Sequence, residues 1–324
     1  MANHVRSVLF RSAILAVLIF VAACAMGCPG SEVRFEFVAR DKALRSFRVF
    51  VPEGLDRGVP APLVLALHGG GGTALEMERY TRFNAVAQRE GFIVAYPNGY
   101  RLHWNDGRDD VGHATARKNV DDVGFIHGLI DRIAQIAAID RNRIYVVGMS
   151  NGGMMTHRLA LELPDVFAAA AAVAANIPQP LLASTLPPKP VPMLLINGAD
   201  DPIIPWEGAD GAVVLGKSIG SVASVDRTTA FWADRNACTT QGEREWLPDA
   251  DPRDGARVWR QRWNGAGPAS DVVLCGIEGG GHTWPGSDRY LPERFIGTTC
   301  MDIDATEVIW QFFSLHRRGS TAAE

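Results

Sequence analysis

Residues 144–152 read Ile144-Tyr145-Val146-Val147-Gly148-Met149-Ser150-Asn151-Gly152. The apolar residues ending at Val147 have the length and β-branched content of a strand buried on both faces. Residues 152–163, just beyond, have helical spacing. The chain therefore passes from strand to helix within a few residues. Gly148 and Gly152 stand two residues on either side of Ser150 and remove side chains where neighbouring backbone must pass closely. A serine on so tight a turn is held in a strained conformation with its hydroxyl exposed. A chance Gly/Ser turn would lack the strand before it and the helix after it.

The same alternation continues outward. Upstream, residues 33–38 and 47–51 read as β, and 63–67 form a continuous apolar run between Pro and Gly. Residues 75–90 have helical spacing that stops at Gly91, and 92–96 form the next strand, closed by Pro97-Asn98-Gly99. Residues 101–118 are polar and read as a loop of the kind that borders a site. Residues 120–138 read as a helix. Downstream, 167–175 and 193–197 are strand candidates, and 178–192 is a proline-bearing linker or cap. Residues 228–236 and 305–315 look helical, and 257–262 and 271–277 are late strands. Repeated strand-helix alternation predicts an α/β fold with a mostly parallel central sheet and helices on both faces. No internal repeat or second domain boundary interrupts residues 31–318, expected to form one catalytic domain, with 319–324 a C-terminal tail.

With 324 residues, 47% of them hydrophobic, the chain can bury a large core. A formal net charge of −4 and 21% charged residues give no basic excess for nucleic acid and no solvating acidic tail. The first thirty residues stand apart. Arg6 and Arg11 precede an apolar run, 13–23, too short for a comfortable membrane span, and small residues and Cys24 follow. This is the pattern of an export signal. Val21-Ala22-Ala23-Cys24 resembles a bacterial lipobox, with Cys24 as the lipidated residue, and Ala25-Met26-Gly27-Cys28 matches it less well. The expected location is extracellular, or the periplasm and cell envelope, with membrane contact only through that lipid anchor. No Cys/His spacing suggests zinc.

A serine hydroxyl needs a base to take its proton. Gly279-Gly280-Gly281-His282-Thr283-Trp284-Pro285-Gly286 follows the apolar run 272–274, and its glycines free a turn that could bring His282 over Ser150. Of the other histidines, His4 lies in the signal, His103 and His113 in the polar loop, and His127 and His157 within helices. His68 is expected to shape a glycine-rich turn, and His316 is near the end. The base needs an acid to fix its tautomer. The strand 193–197 is followed by Gly198-Ala199-Asp200-Asp201-Pro202, where two adjacent aspartates, Asp200 and Asp201, both qualify. The order Ser, Asp, His is the chain order of the α/β-hydrolase fold. His68-Gly69-Gly70-Gly71-Gly72-Thr73 follows the strand 63–67 and suits an oxyanion hole. Its expected donors are the N–H groups of Asn151 and Gly70, with Gly71 as alternative. A phosphate-cradling loop would require a following G-K-[ST], which is absent.

These strings together resemble the polyhydroxybutyrate depolymerase/feruloyl esterase family, carbohydrate esterase family 1 in the broad sense. The resemblance is carried by Leu67-His68-Gly69-Gly70-Gly71, Tyr96-Pro97-Asn98-Gly99 with Trp104-Asn105-Asp106, Val120-Asp121-Asp122-Val123-Gly124-Phe125, Gly148-Met149-Ser150-Asn151-Gly152-Gly153-Met154, Asp201-Pro202 and Gly281-His282-Thr283-Trp284-Pro285-Gly286. It implies a Ser150-Asp201-His282 triad without cofactor, acting on hydroxyalkanoate esters or on feruloyl and acetyl esters of plant polysaccharide through an acyl-enzyme. Trp104, Trp206 and Trp284 are candidates to line the pocket. Asp121 and Asp122 read as a helix-capping and dipole pair. Where the family often carries a cysteine partner for the one matching Cys238, this chain has Trp263, which leaves Cys238–Cys275 as a candidate bridge. The competing readings are a catalytically silent lipoprotein of the same fold serving as a binding module, and a serine peptidase or lipase. A peptidase's propeller or helical cap has no room here, and no long apolar lid is evident.

Overall fold

The computed structural model describes residues 32–40, 43–56, 58–109, 118–211, 213–214, 217–218 and 220–319. The expected export signal with Cys24 and Cys28, His113 and residues 320–324 lie outside the described residues. The first half of the chain runs β1 (Glu32–Arg40), β2 (Ala43–Val51), β3 (Ala61–Leu67), α1 (Ala74–Thr81), α2 (Phe83–Glu90), β4 (Ile93–Pro97), α3 (Asp122–Ala134), β5 (Ile139–Met149) and α4 (Asn151–Glu162). There follow β6 (Ala169–Val173), α5 (Gln179–Leu182), β7 (Met193–Gly198), a ribbon of β8 (Val213–Val214) and β9 (Lys217–Ser218), and α6 (Val225–Arg235). The chain continues through β10 (Cys238–Gln241), β11 (Glu245–Trp246), β12 (Arg257–Gly265), β13 (Val272–Glu278), α7 (Glu293–Ile296) and α8 (Ala305–Ser314).

One sheet takes the strands in the order β1-β2-β4-β3-β5-β6-β7-β13-β12-β10, with β11 on β12. The centre, from β4 to β13, is parallel, while β1, β2, β10, β11 and β12 pair antiparallel at the two sides. The expected mostly parallel α/β sheet is therefore present. The buried stretches of its central strands, such as residues 63–67 of β3 and 144–147 of β5, are apolar because both faces are covered. The pleat sends Leu63, Leu65 and Leu67 into one core with Ile126, Leu129 and Ile133 of α3 and Met154 and Met155 of α4. Val64 and Ala66 go to the other core, with Met77 and Phe83 of α1 and α2 and Ile309, Trp310 and Phe313 of α8.

Several local expectations change. The single helix expected at 75–90 is two, broken at Arg82, which adopts the left-handed conformation at φ 57°. The break aims Tyr80 and Phe83 at the Trp284 ring, with centroids at 6.5 and 6.0 Å, and tertiary packing overrides a continuous helical pattern. The helix expected over 120–138 occupies only α3, because Asp121 caps its start by accepting from the Gly124 N–H at 2.7 Å. The Cys238–Cys275 bridge does not form, and Cys238, Cys275 and Cys300 are free thiols. Cys238 pairs with Gly265 on β12, whereas Cys275 lies across β12 opposite Arg260. One intervening strand and a five-residue offset exceed the Cα separation a disulfide spans.

For the site, strand direction matters most. Because β3, β5, β7 and β13 are parallel, the turns that follow them all leave the same edge of the sheet. Ligands of open α/β sheets bind at this carboxyl edge.

Candidate active site

Ser150 stands between β5 and α4 with φ 56° and ψ −124°, conformational space that side chains other than glycine rarely occupy. The turn is held on both sides: the Ser150 N–H donates to Val173 O at 2.9 Å, and its carbonyl accepts from the Met154 N–H at 2.8 Å. It is also crowded. A Cβ on Gly148 would lie 2.2 Å from the Gly152 backbone, and one on Gly152 would lie 2.3 Å from Leu67 O. The second contact seats the start of α4 on the end of β3, and so sets Ser150 beside the glycine-rich turn. There, a Cβ on Gly69 would be 3.5 Å from that of Ser150, and one on Gly70 would be 3.6 Å from that of Asn151.

Asp201 and His282 meet directly. His282 Nδ1 and Asp201 Oδ2 are 2.7 Å apart, and both side chains are buried. The other carboxylate oxygen, Oδ1, accepts from the N–H groups of Ile203 and Ile204, each at 2.8 Å. Asp201 is thereby fixed as an acceptor, the His282 proton sits on Nδ1, and the lone pair is left on Nε2. Bare backbone brings the two loops together: a Cβ on Gly198 would lie 2.2 Å from Gly280 O. Tyr290 adds a hydrogen bond to the His282 carbonyl at 3.2 Å. The Asp200 N–H donates to Gly280 O at 3.0 Å, and its side chain is exposed. Ser150 Oγ and His282 Nε2 make no hydrogen bond among the described residues; Ser150 shares the carboxyl edge with the pair rather than a bond.

The glycine-rich turn discriminates between its two candidate donors. The Gly71 N–H is committed to Leu102 O at 2.8 Å, whereas the Gly70 N–H has no partner among the described residues. Asn151 opens α4, so its N–H belongs to the first turn of the helix, which has no carbonyl behind it. His68 shapes the turn. Its Nδ1 lies 2.7 Å from Gly69 O and its Nε2 accepts from the Gly99 N–H at 2.9 Å. Burial pulls this imidazole down to about 4, so it is neutral and fills both bonds.

Sequence reading missed how this edge is braced. The Asn151 side chain is clamped: Oδ1 accepts from the Trp104 N–H at 2.8 Å, and Nδ2 donates to Trp104 O at 3.1 Å and to Asp106 Oδ2. Asp106 in turn pairs with Arg108 at 2.7 Å. Behind them Asp122 pairs with Arg45 and accepts from the Asn105 N–H at 2.7 Å. Asp122 is therefore a buried brace, while the capping role falls to Asp121 alone. Burial raises the Asp122 carboxyl despite the Arg45 guanidinium beside it. The only hint in the sequence is the cluster Trp104-Asn105-Asp106 in an otherwise polar loop.

The three tryptophans occupy different places. Trp104 is buried and donates its indole N–H to His68 O at 2.9 Å. Trp284 is buried and donates to Thr306 Oγ1 at 3.1 Å. Both brace loops. Trp206 is half-buried and lines a cavity beside Asp201. His157 accepts from the Trp232 indole at 3.0 Å inside the core. Among the described residues, no group of three His, Cys, Asp or Glu side chains could hold a metal ion.

A half-buried serine on a strained strand-to-helix turn, a His-Asp pair on later turns and free N–H groups nearby define an α/β-hydrolase-fold ester hydrolase. The fold is shared with the acetyl xylan esterase from Aspergillus awamori, at a TM-score of 0.56 and 16% identity, over 87% of this chain and 99% of that one. Residues 45–177 match the family described as esterase PHB depolymerase. The chain is 33% identical over 267 residues to NocK of Nocardia uniformis subsp. tsuyamanensis, named as a candidate esterase, covering 79% of this chain and 76% of NocK. It is 29% identical over 244 residues to feruloyl esterase B of Piromyces equi, covering 74% of this chain and 42% of that longer protein. The chain belongs to the esterase PHB depolymerase family of carboxylic ester hydrolases.

Proposed function

We propose that the chain is an exported serine carboxylic-ester hydrolase that works through an acyl-enzyme, with Ser150 as nucleophile, His282 as base and Asp201 as acid. Its substrates are hydroxyalkanoate esters or feruloyl and acetyl esters of polysaccharide, the ester chemistries that the names of its family and relatives point to. The observation that carries the reading is the buried 2.7 Å contact between His282 and Asp201 at the same sheet edge as the strained Ser150 turn.

In this mechanism Ser150 Oγ attacks the ester carbonyl while His282 Nε2 takes its proton. Asp201 holds the Nδ1 proton and stabilises the imidazolium. The N–H groups of Gly70 and Asn151 receive the developing oxyanion, where loss of one donor typically costs roughly a hundred- to thousandfold in rate. His282 then returns the proton to the departing alcohol, and water repeats the sequence on the acyl-enzyme. No cofactor enters any step.

The test is labelling of the folded chain by a fluorophosphonate, followed by assay on p-nitrophenyl esters, methyl hydroxycinnamates and hydroxybutyrate oligomers. An adduct on Ser150, absent in Ser150→Ala, with turnover of one ester class is expected. Asp201→Asn should lower kcat by about four orders of magnitude, by disturbing the His282 tautomer. No adduct and no turnover would mean a silent binding module. Export and lipid attachment at Cys24 rest on residues 1–30 and are read by labelled-palmitate incorporation in the producing cell. Loss of the label in Cys24→Ser is expected, and retention would move the anchor to Cys28.

A further inference from the structure

A second concavity lies beside the Asp201 turn. A cavity of about 390 Å3 is walled by Trp206, Glu207, Arg244, Trp259, Glu278 and, shared with the His282 relay, Asp201. Its floor is built by omission. A Cβ on Gly276 of β13 would come within 2.3 Å of the Trp259 ring, so the bare glycine lets that indole lie across the strand. Trp206 meets Trp259 nearly edge-on at 6.0 Å, and the Arg244 guanidinium stacks 4.1 Å from the Trp259 centroid. Trp259 is buried, so the half-buried Trp206 supplies the open aromatic wall.

Three charged side chains of this cavity have no ion-pair partner among the described residues. Elsewhere exposed arginines find carboxylates: Arg89 pairs with Glu307, Arg253 with Asp251 and Arg289 with Glu293. Glu207, Arg244 and Glu278 are exposed and make no ion pair or side-chain hydrogen bond among the described residues. An aromatic wall with separated acceptors and a donor fork suits a polyhydroxylated ring, whose C–H face packs on the indole while its hydroxyls meet the charged groups. Two exposed carboxylates against one guanidinium disfavour an anionic chain end, such as the carboxylate of a hydroxyalkanoate oligomer.

We propose that this cavity is a sugar subsite, holding a neutral pyranose residue of an acylated glycan whose ester lies at Ser150. The proposal rests on the ester-hydrolase reading and selects the glycan esters within it. The probe is a set of neutral xylo-oligosaccharides titrated calorimetrically into full-length Ser150→Ala, which binds without turnover. Saturable binding is expected, weakened about tenfold in Ser150→Ala carrying Trp206→Ala or the isosteric Glu278→Gln. In the active chain, either substitution should lower by about tenfold the ratio of kcat/KM for an acetylated xylo-oligosaccharide to that for p-nitrophenyl acetate. If p-nitrophenyl acetate is hydrolysed but no oligosaccharide binds and the ratio holds, the subsite is wrong and the esterase stands. If hydroxybutyrate oligomers bind in place of the sugars, the glycan assignment is overturned. If no ester is hydrolysed, the esterase reading fails, and the calorimetric titration still decides the subsite.

Discussion

Trp104 and Asn151 are bonded twice, through the Trp104 N–H at 2.8 Å and the Trp104 carbonyl at 3.1 Å, although 47 residues separate them. Asp106 adds a third bond to the same amide. The clamp fixes the residue whose backbone N–H is the proposed oxyanion donor, so a loop without a proposed catalytic group positions the proposed site. Asp106→Ala removes one of the two acceptors of Asn151 Nδ2 and the Asp106–Arg108 ion pair. We expect kcat to fall about ten- to hundredfold with KM nearly unchanged, since the lost positioning matters most in the transition state. A matching rise in KM with kcat intact would show that the loop acts on binding instead. Steady-state kinetics on one p-nitrophenyl ester decides between them.

The Ser150 backbone stores strain. At φ 56° and ψ −124°, a side chain costs on the order of 1–3 kcal/mol, which glycine does not incur. Ser150→Gly should therefore be inactive yet at least as stable as the parent towards urea, whereas Ser150→Ala, equally inactive, should show no gain. A Ser150→Gly chain less stable than Ser150→Ala would contradict the strained turn.

Gly198 sets the spacing between the Asp201 and His282 loops. An alanine there has no backbone penalty, because φ is not positive, but its Cβ would lie 2.2 Å from Gly280 O. Gly198→Ala should push the His282 loop away from Asp201. The expected result is an activity loss of tenfold or more with destabilisation of about 1–3 kcal/mol, the usual cost of overpacking. Full activity would mean that the loops yield without separating the pair.

Burial pulls the imidazoles of both His68 and His157 down to about 4 from an ordinary value of 6.5. In the unfolded chain both bind protons near pH 6.5, so between pH 6.5 and 4 the unfolded state holds more protons than the folded one. Stability is then full above pH 6.5 and falls as pH drops towards 4, by roughly 3 kcal/mol for each histidine. Urea midpoints measured between pH 7 and pH 4.5 should show this slope. His157→Gln, which keeps an acceptor for the Trp232 indole, should flatten it by about half. An unchanged slope in that variant would place the acid sensitivity elsewhere.

The alternation of apolar runs with helical spacing was legible because each pattern is set by neighbours a few residues away. So were the strand-to-helix serine turn and the glycine runs, which mark where backbone must pass backbone. The single expected helix at 75–90 failed at Arg82, because the partners met at the break, the Trp284 ring, Gly286 O and Asp304, lie some two hundred residues on. The candidate thiol bridge failed for a similar reason: strand order puts β12 between Cys238 and Cys275, and no local pattern reports strand order.

From the sequence alone came the α/β class, the Ser, Asp, His order and the residues that could carry each role, since these depend on periodicity and on side-chain chemistry read in place. The fold alone decided that Asp201 and His282 touch, that Gly71 is committed while Gly70 is not, that Asp106 and Trp104 hold Asn151, and that Trp206 borders a cavity while Trp104 and Trp284 are buried braces. Those relations join residues far apart in the chain, and they exist only once parallel strands in a fixed register have brought their carboxyl ends to one edge.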